Sequence, residues 1–297
     1  MLEAEPSADI FSSDSYLGDY LENLTFPVIS ANVHSTNPKL NGTIKPFHIF
    51  EKYQLAVIGA TTEETPDISS VDKEVTTFTN VVKAVQDTVD LIRSTTNITR
   101  IVALTHIGYE EDQRLAQETT GLHLIMGGHS HTKLGSEADS EGAYPTIVKN
   151  KDGDEVFIVT AWRWGEYLGY IDVTFDADGK ILEYHGAPIH LTNQTKQDPD
   201  YQAQVDKWRA PFAEEMAKVV GQSNVVLDQT TCQLQECLLG DFIAEYVGIL
   251  TSRLGLELQI TNYTSLVQRD GCISSKFQYP DLCNHECRRY PIHHRCR

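Results

Sequence analysis

The residues best suited to chemistry form a short run at positions 127–132, which reads Gly-Gly-His-Ser-His-Thr. Two successive glycines let the backbone approach a ligand closely, because neither carries a Cβ atom. His129 and His131 lie two residues apart, so their side chains project to the same side if the segment is extended. Imidazole nitrogens are good ligands for zinc and similar divalent ions. The run therefore predicts a metal-binding loop.

A third imidazole, that of His106, belongs to the same candidate site. It ends a buried strand at residues 100–105, and the next strand, at residues 122–126, ends at the glycine pair. Neighbouring strands lie about 5 Å apart. Chemistry in layered α/β folds is placed where strands give way to loops at their carboxyl ends. We expect the imidazoles of His106, His129 and His131 to face one cleft.

Five further histidines are interpreted as surface residues or hydrogen-bonded core residues, which is the usual role of an isolated histidine. His123 begins a strand instead of ending it, so we expect its ring to point away from the cleft. The same interpretation covers His34, His48, His185 and His190.

Strands and helices alternate before residue 130, and this alternation predicts an α/β domain with a layered sheet. After residue 140 the pattern becomes rich in strands separated by hairpin-type turns. A helix then opens at Asp198 and Pro199, and Pro211 should kink or break it. The other predicted segments are strands at 27–33, 54–59, 100–105, 122–126, 144–149, 156–161 and 167–175, helices at 75–92 and 110–118, and an amphipathic stretch at 242–247.

Composition excludes several classes of protein. The chain has 297 residues, of which 40% are hydrophobic, so it can bury a sizeable core. Its net charge of −18 argues against a nucleic-acid-binding surface, which needs a basic patch. The sequence has no apolar run of a membrane-spanning length. The first residues lack the basic and apolar regions of a signal peptide.

Five N-x-S/T sequons favour a secretory-pathway protein, in conflict with the missing signal peptide. A lost or misassigned N-terminus would resolve the conflict. The six cysteines all follow residue 231, so the earlier part of the chain folds without any cysteine. The candidate glycosylation sites are Asn23, Asn41, Asn97, Asn193 and Asn262.

Several ordered motifs resemble those of one family. Residues 104–112 followed by residues 121–132 are similar to the second half of the metallophosphoesterase domain of 5'-nucleotidases, which are calcineurin-like dinuclear metal enzymes. Residues 26–32 match the segment that follows the family's Asn-His motif, and residues 62–66 match its next loop. Residues 232–241 resemble the start of the family's C-terminal nucleotide-binding domain.

The resemblance implies an α/β chain: part of a layered metallophosphoesterase domain, followed by a helix and the start of a second α/β domain. The aperiodic, acidic N-terminal segment looks like an unpacked leader. The expected regions are a leader at 1–20, the metallophosphoesterase part at 21–195, a linker helix and second-domain start at 196–251, and a divergent tail rich in Cys and His at 252–297.

By this resemblance, His106 and His129 would bind one metal ion and His131 the other, zinc being the expected metal. In such dinuclear sites two divalent ions clamp a phosphate and activate a water molecule. The implied reaction is hydrolysis of a nucleoside 5'-monophosphate to a nucleoside and phosphate, outside the cell or at its surface. A UDP-sugar, cyclic-nucleotide or nucleoside di- or triphosphate hydrolase of the same family is an alternative.

The chain also departs from the family pattern. It contains no Asp-x-His, Gly-Asp-x-x-Asp or Gly-Asn-His-Glu/Asp motif, which supply the bridging carboxylate and the catalytic histidine in the family. We therefore assign no catalytic residue and expect an internal fragment that binds at most one ion, weakly, and has no turnover. A non-catalytic remnant or binding protein is the alternative from a different functional class.

The cysteines receive separate interpretations. The resemblance places a family cysteine pair at Cys232 and Cys237, and the sequons favour an oxidising compartment, so we expect a disulfide there. The tail runs Cys283-x3-Cys287-x5-His293-His294-x-Cys296 and invites a zinc-finger interpretation. Its spacing does not match the usual paired Cys-x-x-Cys pattern, and we favour an unrelated C-terminal segment.

Overall fold

The structure is a computed structural model that describes residues 14–219, 221–230, 232 and 235–254. Two compact units divide the chain, Met1–Lys196 and Gln197–Arg297. The division lies next to the predicted boundary at residues 195 and 196. The identity of the second unit as the start of a C-terminal domain stays a prediction.

Helices and short strands alternate through the first unit, and helices alone occur in the described part of the second. The helices are α1 Asp14–Glu22, α2 Pro38–Thr43, α3 Thr65–Ile68, α4 Val81–Thr95, α5 Tyr109–Glu118, α6 Pro199–Ala217 and α7 Leu238–Leu254. The strands are β1 Val28–Ile29, β2 Val33–Ser35, β3 Ile44–Lys45, β4 Phe47–Phe50, β5 Leu55–Thr61, β6 Thr76–Phe78, β7 Arg100–His106, β8 Leu124–Met126, β9 Thr146–Lys149, β10 Glu155–Val159, β11 Tyr167–Leu168, β12 Ile171–Phe175, β13 Ile181–Gly186 and β14 Ile189–His190.

A six-stranded sheet in the order β4-β5-β7-β8-β10-β9 organises the first unit. Its four central strands, β5, β7, β8 and β10, run parallel, and the two edge strands are antiparallel to their neighbours. The register pairs Thr61 at the end of β5 with His106 at the end of β7. The carboxyl ends of the central strands therefore lie along one edge of the sheet.

Apolar side chains cover both faces of this sheet. On one face the amphipathic helix α4 contributes residues spaced three and four apart, which form a continuous apolar stripe, and α5 packs beside it. On the other face Val57, Val102 and Phe157 pack against side chains from the β12–β13 hairpin. The α4 stripe consists of Val81, Val85, Val89 and Ile92.

Helix α4 begins later than the sequence pattern predicts. Residues Thr76–Phe78 form strand β6, which pairs with β2, so the predicted helix at 75–92 is wrong over its first turn. The helix starts after Asn80, whose side chain accepts a hydrogen bond from the Lys83 backbone at 3.0 Å. Asparagine is a strong N-cap because its side-chain oxygen satisfies an otherwise unpaired amide. The cap, and not the apolar spacing, sets this boundary.

Two other expectations need correction. The expected leader at 1–20 is not unpacked throughout, since Asp14–Glu22 is a helix and Gly18 within it is buried; residues 1–13 lie outside the described residues. Helix α6 continues through Pro211 to Ala217, so the proline does not end it.

The described part of the second unit has little buried surface. No residue of α6 is buried, and Trp208 and Met216 are largely exposed on it. Cys232 and Cys237 are joined by a disulfide whose Cα atoms lie 5.1 Å apart. The helices within the described ranges are too short or too polar to span a bilayer. The predicted Cys/His tail from residue 255 onward lies outside the described residues.

Candidate metal-binding edge

Two of the predicted histidines meet at the carboxyl edge of the central sheet. The centroids of the His106 and His129 rings lie 5.0 Å apart, with the rings nearly edge to face. With Zn–N bonds of about 2.0–2.1 Å, two imidazoles that share one ion have centroids roughly 4.5–5.2 Å apart. The spacing therefore fits one shared divalent ion. We call this region, formed by the ends of β7, β8 and β10, the histidine edge.

The loop that follows β8 is not extended, so one sequence-based assumption is wrong. His129 and His131 have φ angles of 82° and 52°, in the left-handed region that residues other than glycine rarely adopt. The ring of His131 packs against Trp164 with centroids 5.1 Å apart. Among the described residues, no three His, Cys, Asp or Glu side chains form a group that could hold a metal ion. The three imidazoles do not form one three-ligand group here.

Backbone contacts hold the two histidine loops together. The amide of Gly108 donates to the carbonyl of Gly128 at 3.0 Å. The amide of Tyr109 donates to the hydroxyl of Ser130 at 3.0 Å, and that hydroxyl also pairs with Thr132. These bonds join the start of α5 to the loop after β8. The histidine edge is therefore fixed by main-chain geometry as well as by side-chain packing.

A glycine is required where this loop begins. A Cβ atom on Gly127 would lie 2.0 Å from Oδ2 of Asp112, much closer than any van der Waals contact. The absence of a side chain at Gly127 lets the loop lie directly on that carboxyl group. The glycine pair was predicted to let the backbone approach a ligand closely; in the structure, Gly127 lets the backbone approach the Asp112 side chain of helix α5.

Asp112 is a buried carboxyl group that sequence reasoning missed. It is fully buried, its Oδ1 accepts from the Thr105 hydroxyl at 2.6 Å, and its Oδ2 has no hydrogen-bond partner among the described residues. Burial raises the pKa of Asp112 to about 7, against the lowering effect of the Thr105 hydrogen bond. Its spacing from Leu115 and Ala116 on α5 was the available signal, because it places Asp112 on the buried stripe.

His123 lies at the opposite end of β8, immediately before Leu124. It is 1% exposed, and neither ring nitrogen has a hydrogen-bond partner among the described residues. The expectation of a hydrogen-bonded core histidine or a surface one is therefore wrong for His123. Burial lowers the pKa of its imidazole, and the nearby Arg93 lowers it further. A neutral, buried imidazole is the form that this position favours.

The other four histidines within the described residues have ordinary surroundings. His34 lies 3.3 Å from the Thr79 hydroxyl, and His190 stacks on Tyr167 with centroids 4.7 Å apart. His48 contacts Phe50 edge to face, and His185 is an exposed residue of β13. These contacts agree with their interpretation as surface or structural residues.

Similarity to known proteins decides the family. No protein-family model matches the chain. The bovine 5'-nucleotidase is 35% identical over 237 residues, which are 76% of this chain, and a snake venom 5'-nucleotidase of Naja atra is 34% identical over 243 residues, which are 78% of it. The crystal structure of a 5'-nucleotidase precursor from Thermus thermophilus superposes with a TM-score of 0.75 at 31% identity, covering 83% of the chain. The chain is a relative of the 5'-nucleotidases.

The chain spans less than half the length of these two curated relatives, 41% of the bovine protein and 46% of the Naja protein. It covers 50% of the Thermus chain. A calcineurin-like phosphoesterase of Bacillus subtilis shares the fold with a TM-score of 0.52 at 20% identity. The predicted resemblance and the layered metallophosphoesterase type of α/β fold are both confirmed.

A metallophosphoesterase fold implies divalent metal in the family, so the fit of the present residues matters. The paired rings of His106 and His129 suit one ion. The described residues offer no third carboxylate, cysteine or histidine ligand beside them. The described part of the chain therefore fits half of a one-ion site and does not fit a dinuclear centre.

Proposed function

We propose that this chain carries the histidine portion of a 5'-nucleotidase-type phosphomonoesterase, the substrate being a nucleoside 5'-monophosphate. The observation that supports it most is the pair of imidazoles 5.0 Å apart, at the ends of adjacent parallel strands, in a chain similar to 5'-nucleotidases. His106 and His129 would hold one divalent ion, with zinc the ion that suits imidazole ligands. His131 would bind a second ion only with ligands from elsewhere.

We further propose that the 297 residues alone do not turn over substrate. Dinuclear hydrolysis needs a carboxylate to bridge the ions and ligands that keep coordination positions open. The sequence has no Asp-x-His or Gly-Asp-x-x-Asp motif, and two or three neutral imidazoles cannot offset two adjacent dications. General acid–base groups, which contribute roughly 10²- to 10⁴-fold, are also without candidates here.

The test compares the chain with a chimera. A metallophosphoesterase N-terminal segment from the bovine relative is fused ahead of Leu21, and phosphate release from AMP is measured with zinc or cobalt present. We expect release from the chimera that disappears in its His129→Ala variant, and none above that background from the 297-residue chain. A chimera that binds zinc but releases phosphate independently of His129 would contradict the assignment. Metal-dependent turnover of the chain alone, near the enzyme median of about 10 s⁻¹, would contradict the proposed inactivity.

A non-catalytic binding protein is the second candidate. It is favoured by the absence of any three-ligand group among the described residues. The same chimera separates the two candidates. If zinc binding and AMP hydrolysis are not restored together, the binding role is the better account.

We also propose an extracellular or cell-surface environment. The asparagines of four sequons, Asn23, Asn41, Asn97 and Asn193, are exposed and accessible to glycosylation; Asn262 lies outside the described residues. The Cys232–Cys237 disulfide suits an oxidising compartment, and venom proteins are among the similar sequences. Expression behind a secretion signal, followed by glycosidase treatment, should lower the apparent mass. A fully reduced, unglycosylated secreted product would contradict the proposal.

A further inference from the structure

The ladder between β7 and β8 ends where the two histidine segments begin. Its last paired residues come immediately before Thr105 on β7 and Gly127 on β8, so these two residues lie opposite each other just beyond the ladder. His106 follows Thr105 directly, and His129 follows Gly127 by two residues. The distance between Thr105 and Gly127 therefore fixes where both histidine segments start.

One carboxyl group, that of Asp112 on helix α5, contacts both of these positions. Its Oδ1 accepts a hydrogen bond from the Thr105 hydroxyl at 2.6 Å. Its Oδ2 lies 2.0 Å from the place that a Cβ atom on Gly127 would occupy, so a Cα–H bond of Gly127 points toward it. Contacts between Cα–H groups and oxygen are weak, so Oδ2 acts mainly by filling the space beside the glycine. Each carboxyl oxygen thus contacts the end of a different strand.

Helix α5 holds this carboxyl in place. The amide of Asp112 donates to the carbonyl of Gly108 at 2.8 Å, and the amide of Gly108 donates to the carbonyl of Gly128 at 3.0 Å. Leu115 and Ala116, one turn further along the helix, are fully buried in the core on one face of the sheet. Because α5 is fixed in the core, the Asp112 carboxyl has a fixed position between the two strand ends.

A carboxyl group is unfavourable for stability at this position. Asp112 is fully buried, and its Oδ2 has no hydrogen-bond partner among the described residues. Burying an unsatisfied polar oxygen opposes folding, whereas an apolar side chain of similar size would not. Stability alone therefore does not explain an aspartate here, and its contacts with the two strand ends are the feature that an apolar residue could not supply.

We propose that Asp112 is a positioning residue that sets the separation of the His106 and His129 rings, and thereby the affinity of this pair for a divalent ion. Asp112 does not bind the ion itself, since its two oxygens face Thr105 and Gly127. The effect on ion affinity rests on the proposed function. The effect on ring separation can be measured without any metal, so the two are tested separately.

The first test measures the ring separation in the chelator-treated full chain with isotope-labelled histidine rings. Rings whose centroids lie 5.0 Å apart should give a nuclear Overhauser cross-peak between His106 and His129. Asp112→Ala should abolish this cross-peak, and Thr105→Val, which removes only the hydroxyl that donates to Oδ1, should weaken it. Asp112→Asn keeps the shape and an acceptor oxygen, so it should retain the cross-peak. No cross-peak in the wild type, or an unchanged one in Asp112→Ala and Thr105→Val, would overturn the proposal.

Leu115→Ala is the matched control for loss of stability. Leu115 is fully buried on the same helix, and its truncation leaves a cavity in the core while Asp112, Thr105 and Gly127 stay unchanged. We expect this variant, shown to be folded by circular dichroism, to keep the wild-type cross-peak. Equal losses in Leu115→Ala and Asp112→Ala would mean that the cross-peak reports general stability, which refutes the positioning role.

The second test is isothermal titration of the same metal-free chains with zinc, in which the component absent from His129→Ala is followed. We expect Asp112→Ala and Thr105→Val to weaken this component roughly 10- to 100-fold, and Asp112→Asn and Leu115→Ala to leave it near the wild-type value. The double variant Thr105→Val/Asp112→Ala should lose no more than Asp112→Ala, because both changes remove the same hydrogen bond. Wild-type affinity in Asp112→Ala would refute the effect on the ion. A chain that loses the ring cross-peak in Asp112→Ala and yet binds no zinc through His129 contradicts the proposed function alone.

Discussion

The two ends of strand β8 carry histidines with opposite surroundings. At its amino end His123 is buried, without hydrogen-bond partners among the described residues. Beyond its carboxyl end His129 has left-handed backbone and lies 5.0 Å from the ring of His106. Both ends carry a histidine, and the two histidines differ in which end of the strand they lie at. The position of a histidine relative to strand direction is therefore more informative about its role than its presence in the sequence.

The titratable groups buried near the two ends have opposite pH dependences. At the carboxyl end the pKa of Asp112 is raised by burial, so its neutral form is favoured in the folded protein. At the amino end the pKa of His123 is lowered by burial, which also favours the neutral form. The carboxyl group of Asp112 loses its neutral form as the pH rises, whereas the imidazole of His123 loses its neutral form as the pH falls. The surroundings of the two groups can therefore be tested separately, Asp112 at rising pH and His123 at falling pH.

The largest expected effect comes from Asp112. Its pKa of about 7, against an ordinary value of 3.8, means that the folded state holds the proton more tightly than the unfolded state. The stability that this provides is fully present below about pH 4 and is lost as pH rises through about 7, by up to about 4 kcal/mol. Asp112→Asn should flatten that slope in urea unfolding of the metal-free chain. An unchanged slope between about pH 5 and pH 8 would show that Asp112 is not the titrating group.

Gly127→Ala should have the next largest effect. Its Cβ would lie 2.0 Å from the Asp112 carboxyl, and overpacking of this kind costs about 1–3 kcal/mol. The double variant Gly127→Ala/Asp112→Ala should recover part of the loss, because it removes the atom that the new methyl group meets. Gly221→Ala is the control for loss of a glycine, because no atom lies within 4 Å of its Cβ position and its backbone does not have a positive φ angle. Equal melting temperatures for Gly127→Ala and Gly221→Ala would contradict the close packing.

His123→Leu should have the smallest effect, and in the stabilising direction near pH 5. The buried imidazole, which has no hydrogen-bond partner among the described residues, stays neutral in the folded protein. As the pH falls below about 6.5, proton uptake by the unfolded state therefore favours unfolding, and leucine removes that dependence. Leucine also removes two unsatisfied polar atoms, a change worth about 1 kcal/mol. Thermal unfolding at pH 5 and pH 8 measures both contributions. A variant that is less stable at pH 5 than the wild type would mean that the imidazole has partners in solution.

Part of this site could be predicted from the sequence. The strand ending at His106 and the glycine pair before His129 are local patterns, and the direction of parallel strands places their ends together. Asp112 could not be assigned in the same way, because its neighbour Gly127 lies 15 positions away and only the packed sheet brings them together. The Trp164 contact with His131 depends on left-handed backbone that no residue type signals.

The fold was predictable for a similar reason. The strand and helix periodicities around the central sheet are strong and local. The start of α4 depends instead on the single hydrogen bond of the Asn80 cap. The short helix at Asp14–Glu22 depends on packing against α2. Lys39 of α2, for example, forms an ion pair with Asp19 of α1. A periodic sequence pattern cannot predict a helix boundary that is set by a single contact.

We expect the carboxyl end of β8, and not its amino end, to bind a divalent ion. Isothermal titration of the metal-free chain with zinc tests it directly, in the wild type, His129→Ala and His123→Leu. We expect His129→Ala to lose one binding equivalent, or at least about tenfold in affinity, and His123→Leu to match the wild type. The difference between wild type and His129→Ala isolates this site from zinc bound by the tail cysteines. Identical isotherms for the wild type and His129→Ala would mean that the carboxyl end of β8 does not bind the ion.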